Sequence, residues 1–552
     1  GHHELVFKNR YAAAREVRHG LGWMYHAVSN VLGFGGSSVE TCDAGKTMGL
    51  APYGRPAVGL LEPWIQVREL TLDFSGFERW LRGSGWLPAA LCLPGSRPFS
   101  MDGDEFTGAA ADLAYKAQIE LETALVALAR ALRERSGAPA LCLAGGVALN
   151  SVANERIRAE AGFDDVFIVP AAHDAGQALG LAYYGHLALR ARAQGSSFPR
   201  SLRNPEAFDG SSIVPIVHAY GGRTWDPEGI EALLEASGLD YLRCDSVARA
   251  GEHAAAAIAS GKIVGWFQAG SEYGPRSLGH RSILADARDA SMKDTLNQRV
   301  KFREAFRPFA PSVLERAAGE VFELEGASPY MLRVVRVRPA WRERVPAITH
   351  VDGTARVQTL SAAANPALHG LVSAFERLTG VPLVLNTSFN LRGMPIVESP
   401  WDALHCFLFT DMDGLYLDRF YVPAPDPAKL VFSINEGWSL ALQHGLDTTD
   451  PATLVTRSPR GKTHSHPVSL RTAALLAELD DVRSLSDLSA SAGTAERERL
   501  LTDLQALGRS ACLRLRTGRL YFPIHTSSLL SANEATTLVQ RAGMVSAHLI
   551  DR

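Results

Sequence analysis

The sequence predicts an α/β protein of roughly three domains. Three observations lead there. The chain has 552 residues, more than one hydrophobic core organises. An apolar strand, Leu141 to Leu143, meets Gly145-Gly146 and a helix pattern, and the unit recurs at once as DDVFIVP followed by AAHDAGQALGLAYYG. Farther on, the apolar runs KIVGWFQ and PLVLNTSFN each enter a polar loop, which is where α/β sheets bind ligands.

Taken in order, residues 11–34 carry apolar positions at helical spacing and stop at Gly33-Phe34-Gly35-Gly36. Cys42 to Pro56 reads as a tight loop whose Lys46 is a candidate phosphate contact or a solvated lysine. Residues 64–105 mix short strand-like runs with turns, and Thr107 to Arg135 repeats apolar residues as a long helix. Beyond it, Gly145 and Gly146 present backbone N–H groups beside a helix start, although close strand–helix packing also wants glycine. His173 and Asp174 fall at a strand end, where an aspartate serves as a metal ligand or as a helix cap. Residues 186–212 read as a linker.

A second α/β unit follows, with helices near 227–237 and 246–260 before the strand KIVGWFQ. The stretch from Gly265 to Ser312 then sets Arg276, Arg281, Lys301, Arg303 and Arg307 among glycines, prolines and aromatics. Guanidinium groups bind phosphate oxygens bidentately and stay charged, and Gly-Pro turns let backbone N–H groups approach, so a concave anion site is expected. Partly buried ion pairs with Glu272, Asp286, Asp289 or Glu304 are the competing reading. Downstream, SPYMLRVVRVRP alternates like a strand, and ITHVDGTARVQTL offers a DG turn between two β segments with Arg356 just past it. Asn386, Ser388 and Asn390 follow a buried strand and suit ribose, base or carbamoyl recognition, or simple turn chemistry. A helix begins at Pro400.

From Pro425 onward, helical patterns at 469–479, 484–491 and 494–508 precede a hairpin, CLRLRTGRLYFPI, an order similar to a winged helix. A net charge of −3 with 21% charged residues argues against general nucleic-acid binding. The six cysteines are scattered without a CxxC pair, as in reduced cytoplasmic proteins, and the apolar runs are too short to span a bilayer.

GLAPYG, LCLAGGVALN, HDAG, GPRSLGHRSIL, KFREAFRPFAPS, THVDGTARVQT and NTSFN, in this order over about residues 18–423, resemble the ATP-dependent O-carbamoyltransferases of nodulation-factor and antibiotic tailoring. The resemblance implies an actin-like ATPase-fold domain over 1–200, lacking its first lobe, a YrdC-like domain over 213–423, and a winged-helix-like domain over 425–552. It implies formation of carbamoyl-adenylate from carbamoyl phosphate and ATP with its Mg²⁺, then carbamoyl transfer to a hydroxyl of a small-molecule acceptor. Carried over by motif, Arg276, Lys301 and Arg307 are catalytic, and Arg281, Arg303, Arg356, Asn386, Ser388 and Asn390 bind substrate. Gly145, Gly146, Asn150 and Lys46 contact nucleotide, and Asp174 completes a metal site, with Fe²⁺ in the complete protein.

The sequence departs from the family pattern in several places. The His-x-x-x-His pair is missing, so an N-terminal truncation is expected, and His2-His3 does not replace the pair. Ala44 stands where an acidic residue is usual, and Gly393-Met394-Pro395 loses a carboxylate. The alternatives are a threonylcarbamoyl-adenylate synthase acting in tRNA modification and a degenerate, non-catalytic interaction protein. The tail, lacking a basic stripe beyond RSPRGKTHSH, is expected to dock a peptide or a carrier-tethered acceptor.

Overall fold

The computed structural model describes residues 20–35, 43–92, 106–193, 218–301, 303–391 and 394–426, together with six strands between 431 and 523. The N-terminal half opens with α1 (Leu21–Val31), whose Met24, Val28 and Val31 are fully buried. Cys42 to Pro56 was expected to be a loop. Its described part is instead the helix α2 (Ala44–Leu50) and a 3₁₀ turn over Ala51–Tyr53, because Thr47 and Leu50 share a buried face. The turn packs so closely on the next long helix that a Cβ at Gly54 would stand 2.1 Å from the Ala111 carbonyl oxygen, so glycine is required there.

The hairpin of β1 (Gln66–Arg68) and β2 (Thr71–Asp73) leads to α3 (Ser75–Gly83), a helix that strand-like patterning had hidden, and to α4 (Leu87–Ala90). The long α5 (Gly108–Ser136) agrees with its apolar period. Thr107 caps its start, and left-handed Gly137 ends it. Leu113, Ala117 and Leu121 of α5 join Met24, Val28 and Phe77 in one core. Next, β3 (Ala140–Leu143) and β4 (Asp165–Ile168) pair in parallel around α6 (Ser151–Glu160), with a 3₁₀ turn over Gly146–Leu149. The helix α7 (Gly176–Ala193) continues past residue 186, so the expected linker begins later than its composition indicated.

The second half starts with α8 (Pro227–Ser237), β5 (Leu242–Arg243), α9 (Val247–Ala259), β6 (Val264–Phe267) and β7 (Arg281–Ala285). The helix α10 (Met292–Leu296) runs into a π turn, Asn297–Lys301, and then β8 (Ala310–Leu314), α11 (Ala318–Val321), β9 (Val334–Arg336) and α12 (Pro339–Arg342). The last elements are β10 (Thr354–Arg356), β11 (Gln358–Leu360), α13 (Pro366–Thr379), β12 (Leu383–Ser388), α14 (Pro400–Leu408), β13 (Gly414–Leu417) and β14 (Phe420–Pro423). Eight strands form a mixed sheet in the order β11-β8-β12-β7-β6-β13-β14-β5. Its central strands are buried on both faces, which is why they read as continuous apolar runs. The DG turn does not join two β segments: a 3₁₀ turn (Pro346–Ile348) precedes it, and β10 pairs antiparallel with β9, placing Arg356 opposite Val334.

In the tail, β15 (Val431–Ile434), β16 (Ser439–Gln443), β17 (Ala452–Arg457), β18 (Thr463–Val468), β19 (Leu513–Thr517) and β20 (Leu520–Pro523) make two three-stranded sheets in the orders β15-β19-β20 and β16-β17-β18. The expected 513–523 hairpin is present, with Leu515 opposite Phe522. The other four strands were not anticipated, and the three helical patterns lie outside the described residues.

Candidate functional site

Four arginines meet at a cavity of about 490 Å³ between the two halves. The loop between β6 and β7 presents Arg276, the segment after the π turn presents Arg303 and Arg307, and β10 presents Arg356. Asn386 and Ser388, at the end of β12, lie on the same wall. Asp43 of the first half, Gln118 and Glu122 of α5, and Ser151 at the start of α6 form the opposite wall.

The cationic wall is short of counter-charge. Arg276 Nε, Arg303 Nη2 and Arg356 Nε are buried with no hydrogen-bond partner. Burial, and then repulsion from Arg276, Arg303 and Arg307, holds Arg356 well below its ordinary range. Arg276 is lowered by burial, with Asp43 opposing and Arg307 adding to the shift. Burial, followed by Arg307, pushes Arg303 down to about 9. Guanidiniums sunk together in this way are relieved only by an arriving anion or by carboxylates nearby. Carboxylates satisfy Arg307 alone, which pairs with Asp43 and lies 3.6 Å from Glu304.

Lys301 sits behind this wall and is buried. Its Nζ donates to the Ser388 carbonyl, to Ser388 Oγ at 3.2 Å and to Asn390 Oδ1 at 2.9 Å. Burial, then Arg303, pushes its ammonium down to about 7. The structure brings Lys301, Ser388 and Asn390 together, and Lys301, read as catalytic, is bonded to these protein acceptors and does not line the cavity. Asn386 is fixed from beneath by Ser312 Oγ at 2.9 Å and Gln358 Oε1 at 3.1 Å.

Other expected site residues stand elsewhere. Arg281, read as a substrate binder, is fully buried, stacks 3.6 Å from the Phe267 ring and donates through Nη1 and Nη2 to the carbonyls of Gln268, Ala269 and His280, its Nε being buried without a partner. It holds the fold and does not line the cavity. Asn150, read as a nucleotide contact, caps α6 through Ala153 N at 3.1 Å and exchanges two amide hydrogen bonds with Gln118. Lys46 is ion-paired with Glu304 at 2.7 Å. Gly145, at φ 101°, donates to the Ala172 carbonyl, and neither it nor Gly146 is in the cavity lining.

Asp174 is exposed, and His173 Nδ1 is buried without a partner beside it. Among the described residues, no three His, Cys, Asp or Glu side chains approach closely enough to hold a metal. These residues do not by themselves fit an iron site. His2 and His3 lie outside the described residues.

Sequence reasoning overlooked the wall opposite the arginines. Glu122 is buried on α5, with Oε1 accepting from Gln118 Nε2 at 2.7 Å and Oε2 from Arg156 Nη1 at 3.0 Å. The signal lay in Gln118 and Glu122, one helical turn apart beside the apolar stripe. His350 and Asp352 of the HVD segment also line the cavity, 3.7 Å apart, with Tyr53 edge-on to His350. No helix among the described residues is long and apolar enough to cross a membrane.

The family model described as the carbamoyltransferase N-terminus matches residues 3–183, and that described as the carbamoyltransferase C-terminus matches 255–423. Nodulation protein NolNO of Sinorhizobium fredii is 38% identical over 90% of this chain and 71% of that protein. Nodulation protein NolO of Bradyrhizobium diazoefficiens is 41% identical over 73% of this chain and 68% of that protein. A crystal structure of full-length HypF in a phosphate- and nucleotide-bound form aligns at 16% identity over 48% of this chain and 34% of that one, with a TM-score of 0.24, too loosely to bear on the fold. With both family models matched and more than two thirds of each of these two relatives covered, the chain belongs to the carbamoyltransferase family.

Proposed function

We propose that the cavity between the halves binds ATP and carbamoyl phosphate and forms carbamoyl-adenylate, whose carbamoyl group then passes to a hydroxyl of a small-molecule acceptor. On this reading the first half is actin-like and the second YrdC-like. The supporting observation is the arginine cluster lining the cavity, in which Nε of Arg276 and of Arg356 is buried without a partner. Two phosphorylated anions repel each other, and a preorganised set of guanidiniums offsets that repulsion while aligning the reacting groups.

Atom balance fixes the products. Water must take the phosphoryl group of carbamoyl phosphate, giving phosphate and carbamate. A carbamate oxygen then attacks the α-phosphorus of ATP and expels pyrophosphate. Transfer of the carbamoyl group to the acceptor hydroxyl releases AMP. Arg276, Arg303 and Arg356 bind and orient the phosphates, and Lys301 with Ser388 and Asn390 holds the adjoining loop. Mg²⁺ enters with ATP as part of the substrate.

The test is release of both phosphate and pyrophosphate by the full chain. Pyrophosphate appearing only when both substrates are present supports the reading. A correctly folded chain that binds neither ATP nor carbamoyl phosphate refutes it.

A further inference from the structure

Glu272 opens the loop that carries Arg276, and its carboxylate turns into that loop. Its Oε1 accepts three backbone N–H groups, from Leu278 at 2.8 Å, His280 at 2.7 Å and Arg281 at 3.1 Å. Successive backbone amides arranged in this way make a concave anion holder, here filled by the protein's own carboxylate. The segment from Glu272 to Arg281 is thereby closed on itself, with Arg276 between the tethered ends.

Arg276 is held less closely through its own side chain. Its Nε has no partner, so the guanidinium stands where its loop puts it. The backbone needs unusual conformations to do this: Gly274 has φ 120° and Gly279 φ 108°. The loop is also tied from outside, since Tyr273 N donates to the Ala219 carbonyl at 2.6 Å and Gln358 Nε2 donates to the Leu278 carbonyl at 2.6 Å. Both ties hold the flanks of Arg276; the base of the loop is joined by Gln268 N donating to the His280 carbonyl at 2.9 Å and by His280 Nδ1, 2.7 Å from the Gly270 carbonyl oxygen, and nearer Arg276 the Glu272 carboxylate gathers three of the loop's amides.

We infer that Glu272 is a positioning residue for the anion site: it sets the height and direction of Arg276 without touching the ligand. This inference rests on the cavity being a polyphosphate site. A misplacement of about 1 Å costs up to roughly a hundredfold in rate, and a guanidinium turned out of line also loses the bidentate geometry on which its charge-assisted hydrogen bonds to phosphate depend.

The experiment is calorimetric titration of the full chain with inorganic tripolyphosphate and with ATP. It compares the wild type with Glu272→Ala, Glu272→Gln, Arg276→Ala and the Glu272→Ala/Arg276→Ala double variant, each with its melting temperature. Glu272→Ala is expected to weaken tripolyphosphate by about tenfold or more. In the Arg276→Ala background the same change is expected to matter by less than about twofold, because the lost interaction is shared. Glu272→Gln, which keeps one acceptor oxygen, should fall between Glu272→Ala and the wild type.

Equal losses in both backgrounds, or unchanged affinity in Glu272→Ala despite a lower melting temperature, overturn the inference and leave the cavity assignment standing. If Glu272→Ala does not fold, Glu272→Gln in the two backgrounds decides by the same criterion. A wild-type chain that binds neither probe refutes the cavity assignment itself, and this inference with it.

Discussion

Lys46 Nζ, on α2 of the first half, lies 2.7 Å from the carboxylate of Glu304, in the loop that carries Arg303 and Arg307. The contact ties the two walls of the cavity together at its rim. Burial would raise the Glu304 carboxyl, but hydrogen bonds from Lys46 and its own backbone, with the charges of Lys46 and Arg307, outweigh burial and lower it.

The first prediction concerns that pair. Lys46→Ala leaves a buried carboxylate short of a partner and is expected to cost about 1–3 kcal/mol of stability. Because the Glu304 pKa is lowered on folding, its contribution is present above the unfolded carboxyl range and fades as pH falls through the folded value. The stability difference between wild type and Glu304→Gln should therefore shrink on acidification below about pH 4.5. Chemical denaturation across pH measures both effects, and a difference independent of pH would contradict them.

Removing a cation from the opposite wall should act in the reverse direction. Arg356 is disfavoured by burial and by three neighbouring guanidiniums, so its charge opposes folding when no anion is bound. Arg356→Met is expected to leave the ligand-free protein as stable or to stabilise it by about 1 kcal/mol, while weakening ATP by about 10- to 100-fold. Thermal melts with and without ATP separate the two effects. A variant that melts earlier without ligand yet keeps the full ATP-induced shift would count against the anion site.

The outline of this site was legible because its chemistry is local in sequence. Arg276, Arg303 and Arg307 come from one stretch rich in glycine and aromatics, and the strand before Asn386 shows as an unbroken apolar run. Arg281, five residues from Arg276, looks identical in composition, yet it faces Phe267 and a ring of carbonyls. Strand alternation and tertiary packing decide between the two, and a one-dimensional pattern does not carry them. The wall opposite the arginines was hidden for the same reason: Glu122 resembles an ordinary helix-surface acid until Arg156 and Gln118 are brought against it. Cys42 to Pro56 misled because its glycines suggest a turn, whereas the buried Thr47 and Leu50 select a helix.

Lys301 gives a pH prediction. With its pKa pushed down to about 7 by burial and by Arg303, it is only partly charged in the ligand-free protein near neutrality. An anion bound among the arginines offsets their field and draws a proton back onto Lys301. Titrating ATP at pH 7.5 in buffers of different ionisation enthalpy should reveal net proton uptake, of the order of half a proton, which Lys301→Met abolishes. The sign also governs stability: the unfolded chain holds this proton to higher pH than the folded one, so the Lys301 contribution favours folding increasingly as pH rises from about 7 toward 10. Proton uptake that persists unchanged in Lys301→Met would assign it to another group.

Arg281 separates fold from function within a single motif. Its guanidinium is fully buried, stacks on Phe267 and donates to the carbonyls of Gln268, Ala269 and His280. Burial lowers it to about 10, with Glu272, Glu398 and Asp402 opposing the shift. Replacement by Met removes several charge-assisted hydrogen bonds and orphans buried carbonyls, and is expected to cost about 3–5 kcal/mol. Arg276→Met, in the same loop but lining the cavity, should cost little stability and most of the polyphosphate affinity. Measured together, the two variants should show opposite patterns: Arg281→Met unfolds earlier, and whatever fraction remains folded binds ATP within about threefold of wild type. If Arg281→Met instead folds normally and loses ATP, the arginine contacts the ligand and its assignment to the scaffold is wrong.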